Sequence, residues 1–209
     1  MPLTIKHQRL LGLFFLLPLF TYGVGTALLE SLLASSTSDS NTLLLGGLLV
    51  STNSIIVIAL GYLISSWLSP FSPKLATLYR YTRFLEALLL FIGLAAWCYI
   101  LLSPTLPAPT RTLCLMIQWY CYQSAMLLLG LGSLAFCWGL YQASSSFSVV
   151  WSWWASLGYS LLALGSLLEL LGWPYGLLCA LPGGLFEACF GLFLCLKSFW
   201  QSPIVAPKS

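Results

Sequence analysis

Charged residues are scarce in this sequence. They make up 6% of the 209 positions, whereas hydrophobic residues make up 59% and the mean hydropathy is +0.94. A water-soluble domain with this composition would precipitate, so the sequence predicts an integral membrane protein surrounded by membrane lipids. The formal net charge of +3 is small and scattered along the chain. It therefore argues against nucleic acid as a partner.

Histidine and aspartate each occur once, which removes most enzyme classes. His7 precedes the first apolar segment, and Asp39 lies in a polar stretch. A bundle without internal histidines cannot hold a bis-histidine haem, an HExxH zinc site or a serine–histidine pair. We therefore expect no catalytic residues, no metal and no cofactor. A lipid-modifying enzyme that uses Glu187 alone stays an open alternative.

The seven cysteines include no CxxC pair, so neither a redox motif nor a metal motif is indicated. Most of them lie inside apolar runs, where cysteine acts as a small hydrophobic side chain. Cys98, Cys114 and Cys179 are expected near one membrane face. One disulfide among these three is an open alternative.

Six long apolar segments dominate the chain. Each has the length of about twenty residues that a helix needs to cross a hydrocarbon core of about 30 Å. The segments cover residues 10–33, 43–68, 81–102, 113–141, 149–171 and 176–200. Their continuous apolar character lacks the alternation of a membrane barrel. The sequence therefore predicts an all-α, six-helix transmembrane bundle that forms a single membrane domain over residues 1–209.

The basic residues predict the orientation of this bundle. If both termini are cytoplasmic, Arg111 is the only basic residue expected on the outer side of the membrane. The basic residues expected inside are Lys6, Arg9, Lys74, Arg80, Arg83, Lys197 and Lys208. This bias follows the positive-inside rule and favours a protein with both termini in the cytoplasm.

Glu187 lies near the centre of the sixth apolar segment. A charged side chain at mid-membrane costs about 2.5–3.5 kcal/mol on insertion scales, so it is expected to be buried and paired. Gly183 and Gly191, four residues to either side, place small residues on the same helical face and direct this face into the bundle. Glu187 is then either a carboxyl group that locks helices together or a site for a proton, an ion or a ligand.

Four other polar residues are candidates to accompany Glu187. Asn53 lies near mid-depth in the second segment beside Ser54, and its amide could contact the Glu187 carboxyl group. Gln118 and Tyr122 lie on one face of the fourth segment, because residues four apart are neighbours on a helix. They either anchor the helix at the membrane interface or line a polar cavity.

Arg80, Arg83 and Glu86 follow one another at steps of three where the third segment enters the membrane. We expect them to lie on one face close to the cytoplasm. Two interpretations are open. The arginines are held inside by the insertion rule with Glu86 in the first helical turn, partly neutralised by Arg83, or the group binds an anion such as a lipid phosphate.

Two short motifs carry a resemblance to a known family. YRYTRFLEA at residues 79–87 opens the third segment, and LPGGLFE at residues 181–187 precedes LCLKSF in the sixth. With the order of the six segments, they resemble the DUF4386 family of bacterial six-helix membrane proteins. The resemblance implies the fold and a bacterial inner membrane, and it highlights Arg83, Glu86 and Glu187. The family usually has tryptophan and glycine where this chain has Cys195 and Ser198.

The motifs FLEA at residues 84–87 and LFEA at residues 185–188 occupy similar places in the third and sixth segments. They raise the hypothesis of a 3+3 inverted repeat, an arrangement that many transporters use.

Short loops leave no domain for a nucleotide or a polar substrate. We therefore expect a non-enzymatic protein that binds a hydrophobic small molecule or lipid, or an accessory subunit of a membrane complex. The alternative is a proton- or ion-coupled small-molecule transporter that uses Glu187.

Overall fold

The computed structural model describes residues 5–35, 39–103, 105–143 and 146–197, without the side chains of residues 5–7, 146, 147 and 197. Within these ranges the chain forms six α-helices and no strand. They are α1 (Ile5–Ser35), α2 (Ser40–Leu68), α3 (Pro73–Leu102), α4 (Ala108–Gln142), α5 (Ser146–Leu170) and α6 (Gly176–Lys197). The all-helical prediction is confirmed. The predicted helix end at Trp200 and the side chains of Lys6, His7, Lys197 and Lys208 lie outside the described residues.

Five helices of the described chain, α1 to α4 and α6, are long and apolar enough to cross a membrane. The exception is α5, whose sequence includes Trp151, Trp153, Trp154 and several serines. It nevertheless packs against both α4 and α6, and its Ala155 and Tyr159 are buried. The molecule is thus a membrane-embedded bundle, and α5 is part of it through its contacts with α4 and α6.

The helices form a closed ring. Each helix packs against the next one in the chain, and α1 closes the ring against α6. This order places α3 and α6 on opposite sides. Such an arrangement is compatible with two three-helix halves, although the inverted repeat stays a prediction.

Glycines allow α6 to approach both of its neighbours closely. A Cβ atom at Gly158 of α5 would lie 2.8 Å from the Cα atom of Gly183. A Cβ atom at Gly12 of α1 would lie 2.7 Å from the carbonyl oxygen of Gly191. The small-residue face predicted for α6 therefore packs into the bundle, as its spacing indicates.

The third helix begins eight residues before the apolar segment that predicted it. The Ser72 hydroxyl accepts a hydrogen bond from the Leu75 amide at 3.4 Å, and Pro73 occupies the first turn, where its fixed φ favours helix initiation. The predicted apolar segment does not include this helix start because residues 73–80 include polar side chains. Glu86 consequently lies about 20 Å from the helix start. Its predicted place in the first turn was wrong.

The loop before α2 ends in an acidic helix cap. The Asp39 carboxylate accepts hydrogen bonds from the amides of Asn41 and Thr42 at 3.2 and 3.3 Å, and also from the Thr42 hydroxyl. The Thr42 hydroxyl and the Asn41 amide lower the pKa of Asp39 because they stabilise its charged form.

At the start of α6, the Glu169 carboxylate accepts a hydrogen bond from the Gly176 amide at 3.0 Å. None of the seven cysteines, all of which lie in the described ranges, forms a disulfide, so the alternative disulfide is not formed.

Candidate functional site

A buried arginine organises the polar centre of the bundle. Arg83 of α3 donates from Nε to the Tyr79 hydroxyl at 2.9 Å and from Nη1 to Oε2 of Glu86 at 3.0 Å. Its Nη2 donates to the hydroxyl of Ser133 on α4 at 3.0 Å. Arg83 is 3% exposed and Glu86 is 2% exposed. The charged pair is thus enclosed by protein and held by three hydrogen bonds.

Helical spacing explains much of this network. Tyr79, Arg83 and Glu86 are separated by four and three residues, so α3 presents them as neighbours. The absence of a side chain at Gly61 of α2 also makes room. A Cβ atom at Gly61 would lie 2.8 Å from Cβ of Arg83. Replacing Gly61 would force the Arg83 backbone or side chain to shift.

Glu187 is held differently. Its Oε1 accepts a hydrogen bond from the Tyr159 hydroxyl of α5 at 2.8 Å. No ion pair links it to a described residue, although Arg83 is close enough to interact with it electrostatically. The side chain is half-buried. Glu187 therefore has more accessible surface than Glu86.

A cavity of about 230 Å³ lies between these groups. Four polar side chains from three helices border it: Asn53 of α2, Arg83 and Glu86 of α3, and Glu187 of α6. Most of the other lining residues are apolar or aromatic, namely Phe14, Phe15, Pro18, Leu19, Tyr22, Gly23, Val57, Leu60, Leu90, Met126 and Leu129. The cavity thus combines a polar region with a predominantly apolar wall.

This polar region lies at mid-depth. Asn53 and Glu187 are near the centres of α2 and α6, and Arg83 and Glu86 border the same cavity. The predicted position of Arg83 and Glu86 near the cytoplasmic interface was therefore wrong. Glu187 is accompanied by two further deep ionisable groups, and Arg83 does not count among the loop charges that orient the bundle.

Asn53 does not form the predicted hydrogen bond with Glu187. The two residues nevertheless lie on the same cavity. Asn53 is 3% exposed, and its Oδ1 has no hydrogen-bond partner in the described part of the chain. The neighbouring Ser54 hydroxyl donates to the Val50 carbonyl at 3.3 Å and does not border the cavity.

Gln118 and Tyr122 border a second, much smaller space of about 10 Å³. The Tyr122 ring stacks on the Tyr22 ring, with centroids 5.8 Å apart and an interplanar angle of 9°. Tyr22 borders both spaces. Gln118 and Tyr122 are therefore neighbours of the main cavity without contributing to its lining.

Arg80 is separated from the buried pair. Its side chain is exposed, and its guanidinium lies 5.7 Å from the centroid of the Tyr62 ring. The predicted single face of three residues was wrong, because two steps of three residues rotate the helical position by about 120°. A contact between Arg80 and a lipid phosphate stays a prediction.

Three members of this site, Tyr79, Ser133 and Tyr159, were not predicted from the sequence. Tyr79 could have been recognised from its position four residues before Arg83. Ser133 and Tyr159 carry no comparable signal, since the residues they contact are distant in the chain. Only the packing of α4 and α5 brings these two hydroxyls to the charged groups.

The family model described as "Domain of unknown function (DUF4386)" matches residues 10–198. The match covers all the cavity-lining residues and the partners of Arg83 and Glu187. No curated protein and no solved structure matches the chain. The chemistry of the site therefore has to be inferred from its own residues.

Proposed function

The chain belongs to the DUF4386 family, and we propose that it is a non-enzymatic membrane protein that binds a small hydrophobic molecule or lipid inside its helix ring. The observation that carries this proposal is the cavity bordered by Asn53, Arg83, Glu86 and Glu187 within a largely apolar wall. Apolar walls with a few converging polar groups are characteristic of small-molecule sites.

The volume of the cavity limits the ligand. It greatly exceeds the roughly 10–15 Å³ needed for one water, but about 230 Å³ is below the roughly 300–1,000 Å³ of pockets for drug-sized ligands. A small amphipathic molecule, or the head group and first carbons of a longer one, is the appropriate size.

Access from the bilayer supports a hydrophobic ligand. Leu19 and Gly23 of α1 border the cavity and are also exposed on the surface of the bundle. A molecule dissolved in the membrane could enter beside α1 without crossing an aqueous domain.

Blocking this entrance tests the proposal. A Cβ atom at Gly23 would meet no atom within 4 Å, so Gly23→Phe adds a ring without a backbone clash. Gly47→Phe is the matched control, because Gly47 also has open space but does not border the cavity.

Native mass spectrometry of protein released from nanodiscs should detect a bound amphiphile in the wild type and in Gly47→Phe. Gly23→Phe should lose at least about nine-tenths of it. Equal retention by all three proteins would contradict the proposal, as would a bare wild type. A copurifying protein in place of the amphiphile would favour an accessory subunit.

A proton- or ion-coupled transporter is the second candidate. Two carboxylates border one cavity, and Glu187 has no ion-pair partner among the described residues. A titratable group in such a position is a common feature of proton relays. This candidate requires a small-molecule flux into proteoliposomes that depends on a proton or ion gradient and disappears in Glu187→Gln. A gradient-independent signal, or no flux, would leave binding as the function.

We further propose a bacterial inner membrane with both termini in the cytoplasm. Arg9, Lys74 and Arg80 lie toward one end of the helix ring, whereas Arg111 lies toward the other. This distribution follows the positive-inside rule. In a variant whose seven native cysteines are replaced by serine, membrane-impermeant labelling of single cysteines introduced at Lys74 and Arg111 should modify only the Arg111 site from outside intact cells. The reverse pattern would invert the topology.

A further inference from the structure

We propose that the cavity binds a small hydrophobic amine in its ammonium form. This inference rests on the proposed binding function and identifies the class of ligand. It follows from the net charge of the polar region, from its unused hydrogen-bond acceptors and from the aromatic rings beside them.

The charged groups at the cavity do not balance. Among the described residues, Arg83 is the one cationic side chain that borders it, whereas Glu86 and Glu187 are both acidic. When all three are ionised, the site has one excess negative charge. An uncompensated charge in this position is costly. A bound ammonium group would neutralise it.

The acceptor oxygens that have no hydrogen-bond partner also suit a ligand with N–H donors. Oε2 of Glu187 and Oε1 of Glu86 have no hydrogen-bond partner within the described ranges, because the observed contacts use the other oxygen of each carboxylate. Oδ1 of Asn53 lacks a partner as well. The terminal torsion of asparagine is broad and roughly two-fold, so a flip of the amide can turn this oxygen toward the cavity. A primary ammonium group has three N–H donors for such acceptors.

Aromatic side chains complete the match. Phe14, Phe15 and Tyr22 of α1 border the same cavity, and the face of an aromatic ring attracts cations. An alkyl or aryl chain would extend along the apolar wall. Acidic oxygens and aromatic rings together therefore favour a cationic amphiphile over a neutral one.

An anionic ligand fits less well. Nε, Nη1 and Nη2 of Arg83 each already donate to Tyr79, Glu86 or Ser133. Arg83 has five N–H donors, so an incoming carboxylate could use only the two that remain. It would also lie near two acidic side chains, which would repel it.

Equilibrium binding to protein in lipid nanodiscs tests the ligand class, with empty nanodiscs subtracted. The probes are hexylammonium, hexyltrimethylammonium and hexanoate, which have the same chain length. Hexylammonium should bind at least about tenfold more tightly than hexanoate. Hexyltrimethylammonium should bind about three- to tenfold more weakly than hexylammonium, because it has the charge without the N–H donors.

Variants locate the binding site. Glu187→Gln should weaken hexylammonium binding at least about tenfold, and Asn53→Leu should weaken it about three- to tenfold. The matched control is Glu30→Gln, an exposed acid on α1 outside the cavity. This control should bind like the wild type. The comparison of the three probes on the wild type needs no variant, so it remains decisive if a substitution prevents folding.

The outcomes separate this inference from the proposed function. Preferential hexanoate binding that Gly23→Phe abolishes would overturn the amine inference while supporting a ligand-binding cavity. Hexylammonium binding that is equal in the wild type and Glu187→Gln would overturn the assigned site. Equal binding of both ammonium probes would overturn the role of the N–H donors and of Asn53. No binding of any probe above empty nanodiscs, together with a wild type that carries no amphiphile, would overturn both proposals.

Discussion

Glu86 and Glu187 have similar local sequences on opposite helices of the ring, but the bundle holds them differently. Glu86 forms an ion pair with Arg83 and is almost completely buried. Glu187 accepts one hydrogen bond from Tyr159 and is half-buried. Both border the same cavity. The difference divides the polar centre into a paired side (Tyr79, Arg83, Glu86 and Ser133) and an available side (Asn53, Tyr159 and Glu187).

The comparison indicates different roles for the two acids. Removing one partner of a buried ion pair leaves an uncompensated charge, so the paired side should matter most for stability. On the available side, Glu187 has no ion-pair partner and Oδ1 of Asn53 has no hydrogen-bond partner in the described part of the chain. The residues of this side should matter more for ligand binding than for folding. Four predictions test this division, from the largest expected effect to the smallest.

Arg83→Met should cause the largest loss of stability. The substitution removes three hydrogen bonds and leaves Glu86 without its cation, which should lower the free energy of unfolding by about 3–5 kcal/mol. Denaturation by SDS titration from mixed micelles measures this change. Arg80→Met is the control, because Arg80 is exposed and should change stability by no more than about 0.5 kcal/mol. Similar losses in the two variants would show that the buried network has no special role.

The glutamine variants of the two acids should separate stability from binding. Glu86→Gln weakens the hydrogen bond with Arg83 and leaves that charge unpaired, so we expect a loss of about 1.5–3 kcal/mol. Glu187→Gln keeps an oxygen that can accept from Tyr159, and it should change stability by less than about 1 kcal/mol. The same SDS titration, combined with hexylammonium binding, provides the comparison. A Glu187→Gln loss as large as that of Glu86→Gln would identify Glu187 as a structural lock.

The two tyrosines provide a smaller version of the same comparison. Tyr79→Phe removes the acceptor for Nε of a buried arginine, and it should lower stability by about 1–3 kcal/mol. Tyr159→Phe removes a donor to the accessible Glu187, and its effect should be nearer about 0.5–1.5 kcal/mol. Both variants delete one hydroxyl from a completely buried ring, so each is a control for the other. Equal effects in SDS titrations would remove the distinction between the paired and available sides.

Protonation of the Asp39 carboxylate should cause the smallest loss of stability. It should leave the paired and available sides of the site unchanged. Hydrogen bonds lower the pKa of Asp39 in the folded protein. The stabilisation is therefore complete above the unfolded-state pKa and is lost as the pH falls through the lower folded-state pKa. Asp39→Ala should remove this contribution to the pH dependence of stability. If hexylammonium binding at neutral pH changed as well, the loop and the cavity would be coupled.

The sequence was most informative about the helices and least informative about the site. Apolar length located every helix, and the spacing of Gly183 and Gly191 predicted the packed face of α6. Apolar length failed at the start of α3, where polar residues continue a helix that Ser72 and Pro73 initiate. Because α3 starts earlier than predicted, Arg83 and Glu86 lie at mid-depth and not at the expected interface. This difference changes the interpretation of the whole site.

By itself, the sequence determined an all-helical membrane bundle and placed Asn53 and Glu187 near the middle of their helices. Composition and segment length suffice for these features because hydrocarbon requires backbone groups to be paired within each helix. Only the tertiary structure decided that Arg83 also contacts Ser133 and that Glu187 pairs with Tyr159. Partner choice depends on the ring order and rotation of helices that are distant in the chain, and local spacing contains no information about either.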